Sequence, residues 1–163
     1  VHFLDNANDA IDKLVDDWQN QRDQTNKEIN KFLIVAHRNA DVQIINNKIR
    51  EMRVARSEIA DGYKVKNTVA GVEREIKISQ NDRILFLKND KTLGVANGRF
   101  ATITYVNFTE SGKVIDFNVK LDGSDKEITV NPNSYQDFDY GYAATVHKTQ
   151  GVTVDQVLSQ SWI

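Results

Sequence analysis

Cysteine, proline and long apolar runs are absent or rare in this sequence, and each absence excludes a class of protein. With no cysteine among 163 residues, the chain has neither disulfides nor thiolate metal sites, which suits a reducing compartment. No apolar stretch approaches the roughly 18 residues of a membrane-spanning helix, and no secretory signal pattern opens the chain. A single proline and a 40% share of hydrophobic residues indicate a packed chain. We therefore expect a soluble, cytoplasmic protein without a membrane segment.

The sequence also lacks an excess of positive charge. Its 21 lysines and arginines are outnumbered by 23 aspartates and glutamates, which leaves a formal net charge of −2 at pH 7. A free-standing nucleic-acid-binding protein usually carries a clear cationic excess, because phosphate contacts supply much of its affinity. Any contact with nucleic acid must therefore be confined to a small part of this chain.

The residue patterns of most catalytic sites are missing as well. No Gly-x-x-x-x-Gly-Lys-Ser/Thr loop is present to cradle phosphates, and no adjacent Asp-Glu pair offers ligands for Mg²⁺. The three histidines, His2, His37 and His147, show no close metal-ligand spacing. No serine has the surroundings of a hydrolase nucleophile. We therefore expect no metal site, and no ATP hydrolysis by this chain alone.

The first 65 residues have the pattern of an α/β layer. Apolar residues recur at helical spacing between Asn6 and about Lys31, which predicts an amphipathic helix with Trp18 on its buried side. The continuous apolar run 32–36 predicts a strand that is covered on both faces. Asn39 can then cap a second helix, on which apolar residues again recur at helical spacing.

The region between residues 66 and 131 has the pattern of short antiparallel strands. Apolar and polar residues alternate with period two, and turn sequences such as Asn97-Gly98 separate the segments. We interpret residues 66–131 as a small antiparallel β barrel inserted into the α/β layer. The flanking residues 1–65 and 132–163 would then form that layer together.

The segment 141–155 concentrates polar chemistry. Its small residues allow close backbone packing, and its hydroxyl, imidazole, ammonium and amide groups suit contacts with phosphate. We predict a helix over residues 141–150, ended by Gly151, followed by a strand over 152–158. A capped surface helix whose polar residues are merely solvated is the alternative, and composition alone does not separate the two.

One part of this segment resembles a known helicase motif. Residues 144–155, with the sequence ATVHKTQGVTVD, are similar to motif V of superfamily 1 helicases of the RecD type. The similarity extends to an Asp-Arg-Ile strand and a Leu-Gly-Val-Ala-Asn-Gly turn within residues 82–98, and also to residues 36–46 and 1–18. Within this group the chain most resembles the Ti-type conjugative relaxase/helicases, over nearly its whole length.

The resemblance implies both a fold and a function. The implied fold is the second RecA-like domain of a P-loop NTPase motor (2A), interrupted by a Src-homology-3-like barrel (2B). The implied function is that of a bacterial DNA helicase of conjugative transfer, which couples ATP hydrolysis to translocation on single-stranded DNA. ATP and Mg²⁺ would be cofactors of a longer parent protein only, whose N-terminal motor domain and relaxase domain would be partners of this chain. Val1 in place of a start methionine also leads us to expect such a piece.

The resemblance assigns roles to individual residues of the segment. It implies that Thr145 and His147 lie near DNA phosphates, and that Gln150 and Gly151 lie near the nucleotide. Thr153 belongs to the nucleotide-proximal group too, at a position where UvrD-like relatives carry a glutamate. The composition of the segment adds two further candidates for DNA binding, Lys148 and Thr149.

Candidates for DNA contact also occur outside the segment. The turn in the predicted barrel has three such residues, Lys88, Asn97 and Arg99, although turn residues are often polar for solubility alone. The second helix carries three arginines at i+3 spacing, for which a solvated face and a DNA-backbone track are both open: Arg50, Arg53 and Arg56. Two alternatives to a motor piece remain, a non-catalytic single-stranded nucleic-acid-binding module and a protein-interaction barrel.

Overall fold

The computed structural model describes residues 7–25, 29, 32–145 and 156–159, and these fall into two compact units. The α/β unit comprises residues 1–52 and 142–163, and the β unit comprises residues 53–141. The elements in chain order are α1 (Ala7–Thr25), β1 (Phe32–Ala36), α2 (Asn39–Ala55), β2 (Tyr63–Val69), β3 (Val72–Ile78), β4 (Arg83–Phe86), β5 (Phe100–Phe108), β6 (Val114–Leu121), β7 (Glu127–Val130), β8 (Phe138–Tyr140), β9 (Ala143–Thr145) and β10 (Gln156–Ser159). Among the described residues, no helix has the length and apolar character of a membrane span.

The α/β unit contains a three-stranded parallel sheet of order β10-β1-β9. The middle strand β1 is buried at all five positions, as its uninterrupted apolar sequence predicts. Helix α1 buries its apolar stripe, and Trp18 is fully buried with its ring edge-on to Tyr142 at 6.4 Å. The predicted strand 32–36, the helix from Asn39 and the role of Trp18 as a core residue are therefore confirmed.

The predicted helix over residues 141–150 is wrong where the structure describes it. Residues 143–145 form strand β9, which pairs in parallel with residues 34–36 of β1. A run of small apolar residues suits either a helix or a strand, and the partner strand decides between them. Residues 146–150 and the predicted cap Gly151 lie outside the described residues. Of the strand predicted over 152–158, the structure describes β10 at Gln156–Ser159.

The β unit consists of antiparallel strands. Five of them form a sheet of order β7-β6-β5-β4-β8, and β2 and β3 form a separate hairpin. Strand β6 alternates buried and more exposed positions, so that Phe117, Val119 and Leu121 reach the core while Lys120 faces solvent. The predicted antiparallel strands are thus present.

The antiparallel region extends beyond the range predicted for it. Strand β8 pairs with β4, although residues 132–163 are assigned to the α/β layer in the sequence interpretation. Strand β2 also begins at Tyr63, before residue 66. The position of β8 was missed because its partner β4 lies far earlier in the chain and local patterns do not reveal it. Residues 66–131 lie within the β unit.

Candidate nucleic-acid interface at the carboxyl edge of the parallel sheet

Two strands of the α/β unit end side by side. Ala36, the last residue of β1, is the register partner of Thr145, the last residue of β9. Because β1 and β9 are parallel, the segments that follow them leave from the same edge of the sheet. In open α/β sheets, ligands bind outside this carboxyl edge. This edge is therefore the first place to look for a binding site in the unit.

The segment after β1 presents polar residues at this edge. His37, Arg38 and Asn39 are all exposed, and α2 begins at Asn39. The Arg38 guanidinium donates from Nε to Oδ2 of Asp41 at 3.0 Å and from Nη2 to Oδ1 at 3.3 Å. Its side chain is still 65% exposed, so that it has N–H groups left for an anion. The Arg38 guanidinium is thus held by Asp41 but remains accessible. It lies beside the first turn of α2, where the peptide dipoles also favour negative charge.

The segment after β9 contains the string that resembles motif V. Its first polar residue, Thr145, is half-buried at the end of β9. The other predicted residues of this segment lie outside the described residues, and their roles stay predictions: His147, Lys148, Thr149, Gln150, Gly151 and Thr153. These residues follow Thr145 in the sequence, and Thr145 ends β9 at the same sheet edge at which β1 ends before His37 and Arg38.

A buried side chain that the sequence interpretation gave no role holds the start of β9. Asn46 of α2 is 1% exposed, and its Oδ1 accepts hydrogen bonds from the amides of Tyr142 at 3.0 Å and Ala143 at 2.8 Å. Its Nδ2 donates a longer bond of 3.5 Å to the Ala143 carbonyl. The signal in the sequence was an asparagine between Ile45 and Ile49 on the apolar face of a predicted helix, where an amide needs a buried partner.

The three candidates in the β unit differ in their surroundings. Lys88 and Asn97 are exposed, whereas Arg99 is half-buried and donates from Nη2 to the Asp122 carbonyl at 2.8 Å. The guanidinium of Arg99 is therefore directed toward the turn after β6. The loop between β4 and β5, which contains Lys88 and Asn97, is anchored by Tyr135. The Tyr135 hydroxyl donates to the Lys88 carbonyl at 2.6 Å and accepts from the Lys88 amide at 3.3 Å. Burial raises the pKa of Tyr135 to about 12, so it remains a donor at neutral pH.

Two of the three arginines of the second-helix stripe are buried and so form neither a solvated face nor an open DNA-backbone track. Arg50 and Arg53 are buried, at 6% and 5% exposure. Arg53 donates to Glu58 Oε1 at 3.2 Å and to the Asn81 carbonyl at 3.0 Å. Arg56 is exposed and pairs with Glu58 at 3.4 Å. Periodicity could not show the burial of Arg53, because its acceptors Glu58 and Asn81 come from outside the helix.

A metal site is not evident in the described part of the chain. Within residues 7–25, 29, 32–145 and 156–159, no three His, Cys, Asp or Glu side chains come together as a metal site would require. The described part of the candidate interface presents His37, Arg38, Asn39 and Thr145.

Comparison with known proteins identifies relatives of this chain. The chain is 35% identical over 149 residues to the conjugal transfer protein TraA of Agrobacterium fabrum, and 32% identical over 149 residues to TraA of Rhizobium radiobacter. This chain resembles TraA. The alignments cover 91% of the chain but 12% of each relative, so the chain spans about an eighth of the length of TraA. The predicted resemblance to conjugative relaxase/helicases is confirmed, although no protein-family model matches the chain.

Solved structures show the same kind of fold. A Bacteroides Pif1 helicase in complex with ADP-AlF3 and single-stranded DNA has a TM-score of 0.56 at 20% identity, covering 93% of this chain and 39% of that one. Another Pif1 helicase, from a structure of two helicases coordinating at forked double-stranded DNA, has a TM-score of 0.53 at 20% identity and covers 93% and 36% of the two chains. These similarities show a helicase-like α/β fold and confirm the fold class at that level.

Proposed function

We propose that the chain is the 2A–2B part of a conjugative DNA helicase that couples ATP hydrolysis to translocation on single-stranded DNA. The similarity to TraA along 91% of the chain supports the conjugative role, and the Pif1-like fold supports the helicase motor. In this proposal, ATP hydrolysis needs a longer bacterial cytoplasmic protein, with an N-terminal motor domain and a relaxase domain as partners.

The observation that carries the proposal is the pairing of Ala36 with Thr145. It brings the start of the motif V-like segment to the same sheet edge as the exposed His37 and Arg38. A polar segment at that edge suits phosphates, because hydroxyl, imidazole and ammonium groups all bind them without reading bases. DNA contact by Thr145, His147, Lys148 and Thr149 is therefore part of the proposal.

The nucleotide belongs to the longer protein in this proposal. Gln150, Gly151 and Thr153 would face it from the far end of the same short segment. ATP supplies the free energy of translocation, and Mg²⁺ would be held with it by the other motor domain. One segment that contacts both ligands would link closure around the nucleotide to a change of grip on DNA.

We also propose that the β unit is a Src-homology-3-like barrel inserted into the 2A domain. The support is a set of contacts that join the β2–β3 hairpin to the sheet. The Thr68 amide donates to the Gln136 carbonyl at 2.7 Å, and Nδ2 of Asn67 donates to the Phe138 carbonyl at 2.9 Å. Tyr63 stacks on Phe108 of β5 with ring centroids 4.1 Å apart. These contacts would close the strands around one core.

The anchored loop of this barrel is the second place proposed for DNA contact. Lys88 and Asn97 are exposed there and are the better candidates. Arg99 donates to the turn after β6, so its contribution to DNA binding would require release of the Asp122 carbonyl.

The proposal is tested in the full-length protein by replacing His147 or Lys148 with alanine. We expect DNA-stimulated ATPase activity and unwinding to fall about tenfold, the loss expected when a contact to a charged group is removed, while ATP affinity changes less than about twofold. Lys113→Ala removes an exposed lysine from the β unit and is the charge-matched control. Unchanged unwinding in both motif variants would contradict the proposal.

A further inference from the structure

One polar side chain in the α/β unit is hydrogen-bonded to the start of β9. Asn46 is almost fully buried, and its three side-chain hydrogen bonds go to the backbone of Tyr142 and Ala143. These are the residue before β9 and the first residue of β9. The segment that begins at Thr145 is therefore two residues downstream of the last amide that Asn46 holds.

The chemistry of this contact explains the choice of residue. An amide oxygen has two lone pairs, and Oδ1 of Asn46 uses them for two successive backbone N–H groups at 3.0 and 2.8 Å. Buried N–H groups without an acceptor are strongly unfavourable, so the backbone follows this oxygen. An aliphatic side chain of similar size would fill the space and leave both N–H groups without that acceptor.

The contact also connects β9 with the other strand at the proposed DNA edge. Asn46 lies on α2, and α2 begins at Asn39, directly after β1 and the exposed His37 and Arg38. The β1 amide of Ile34 donates to the Tyr142 carbonyl at 3.2 Å. The start of β9 is thus hydrogen-bonded both to β1 and to the helix that follows β1.

We propose that Asn46 is a positioning residue of the helicase motor, which holds the Tyr142 and Ala143 amides and thereby fixes where Thr145 leaves the sheet edge proposed to contact DNA. This inference rests on the proposed function, since it assigns a role within the same site. Asn46 itself touches neither DNA nor nucleotide in this account. Its replacement should therefore impair stimulation by DNA much more than the basal ATPase rate.

The chain offers a matched control at the next position. Asn47 is the same residue type on the same helix, but it is exposed. We would compare Asn46→Ala with Asn47→Ala, and add Asn46→Leu, which fills the space of the asparagine but offers no acceptor. Urea unfolding of each variant separates a general loss of stability from a local change.

The first measurement is hydrogen exchange of the Tyr142 and Ala143 amides in this chain. We expect Asn46→Ala to speed their exchange about tenfold or more, the factor that corresponds to loss of one buried hydrogen bond. Asn46→Leu should speed exchange as Asn46→Ala does, because it also lacks the acceptor, and Asn47→Ala should exchange as the wild type does. Unchanged exchange in Asn46→Ala, or wild-type exchange in Asn46→Leu, would overturn the inference.

The second measurement is ATPase activity of the full-length protein with and without single-stranded DNA. We expect Asn46→Ala to lower the DNA-stimulated rate about tenfold with a basal rate within about twofold, as for a misplaced contact segment, Asn46→Leu to do the same, and Asn47→Ala to match the wild type. Equal losses of basal and stimulated rates would overturn the positioning role, even if exchange at β9 had changed. A wild type whose ATPase does not respond to DNA would instead contradict the proposed function itself.

Discussion

Two buried polar contacts, one in each unit of this chain, differ in kind. In the α/β unit, the neutral amide of Asn46 holds the start of β9. In the β unit, the buried guanidinium of Arg83 makes a two-bond contact with the Asp122 carboxylate, at 2.7 Å from Nη1 to Oδ1 and 2.6 Å from Nη2 to Oδ2. Arg99 donates to the carbonyl of the same aspartate.

The difference shows what each contact is suited to do. A paired, buried charge has a large penalty when one partner is lost, which fits a contact that joins β4 to the turn after β6 and need not move. A neutral amide has a smaller penalty when its partner is lost. The ionic contact thus fixes a junction within the β unit, and the neutral contact fixes the start of the segment proposed to contact DNA.

The largest effect is expected from removing the buried guanidinium. Arg83→Ala leaves the Asp122 carboxylate without its strongest partner and removes the contact of Arg83 with the Phe100 ring at 5.8 Å. We expect the free energy of unfolding to fall by about 3 to 5 kcal/mol, as measured by urea denaturation.

An exposed ion pair in the same unit is the control. Lys120 and Asp125 are 3.8 Å apart, with side chains 54% and fully exposed. Lys120→Ala should change the free energy of unfolding by less than about 1 kcal/mol. If both variants lost equally little, the ionic contact of Arg83 would not distinguish the β unit from the α/β unit.

A smaller effect is expected from a carboxyl buried in the β unit. Burial raises the pKa of Asp139 to about 6, while the Tyr140 amide and the positive charge of Arg74 act in the opposite direction. The folded-state pKa therefore exceeds the value of about 3.9 for the unfolded chain. The protonated carboxyl contributes about 3 kcal/mol to the free energy of unfolding below pH 4, and this contribution is lost as the pH rises through 6.

Asp139→Asn should remove most of this pH dependence. The amide oxygen can still accept from the Tyr140 N–H, so the variant keeps the 2.8 Å bond without a buried charge. Urea unfolding at pH 5 and pH 8 measures the difference, with the fully exposed Asp125→Asn as control. An unaltered pH profile in Asp139→Asn would show that this carboxyl does not titrate near pH 6.

The smallest effect concerns the turn between β2 and β3. Ala70 and Gly71 both have positive φ, at 51° and 78°, as in a type I′ turn. Alanine is strained in this conformation, so Ala70→Gly should raise the free energy of unfolding by about 1 kcal/mol. Gly71→Ala should lower it by a similar amount, because the added Cβ would meet no other atom within 4 Å and only the backbone would be strained. If Ala70→Gly and Gly71→Ala shifted the thermal unfolding temperature in the same direction, this explanation would be refuted.

Local sequence patterns predicted the elements whose pairing partners are close in sequence, and those that are buried along their whole length or along one face. The five buried residues of β1 formed one apolar run, and α2 showed helical periodicity from its capping residue Asn39. Turn sequences such as Asn97-Gly98 also indicated short strands, and Gly98 indeed has a φ of 91°.

The remaining features depend on contacts between distant parts of the chain. The short sequence Ala143–Thr145 is a strand because it pairs with β1, and the Ala143 amide also donates to the Asn46 side chain. Arg99 was a candidate DNA contact by its position in a turn, but its partner at Asp122 lies on another hairpin. The role of Asn46 was hidden for the same reason, since its partners are nearly a hundred positions away.

Hydrogen exchange of the full-length protein, with and without single-stranded DNA, would test the central claim most directly by comparing the two units. Peptides that cover residues 142–150 at the sheet edge should become more protected when DNA binds, with His147→Ala weakening the effect. Protection confined to residues 88–97 of the β unit, with none at 142–150, would contradict the account and would favour a barrel that binds nucleic acid by itself.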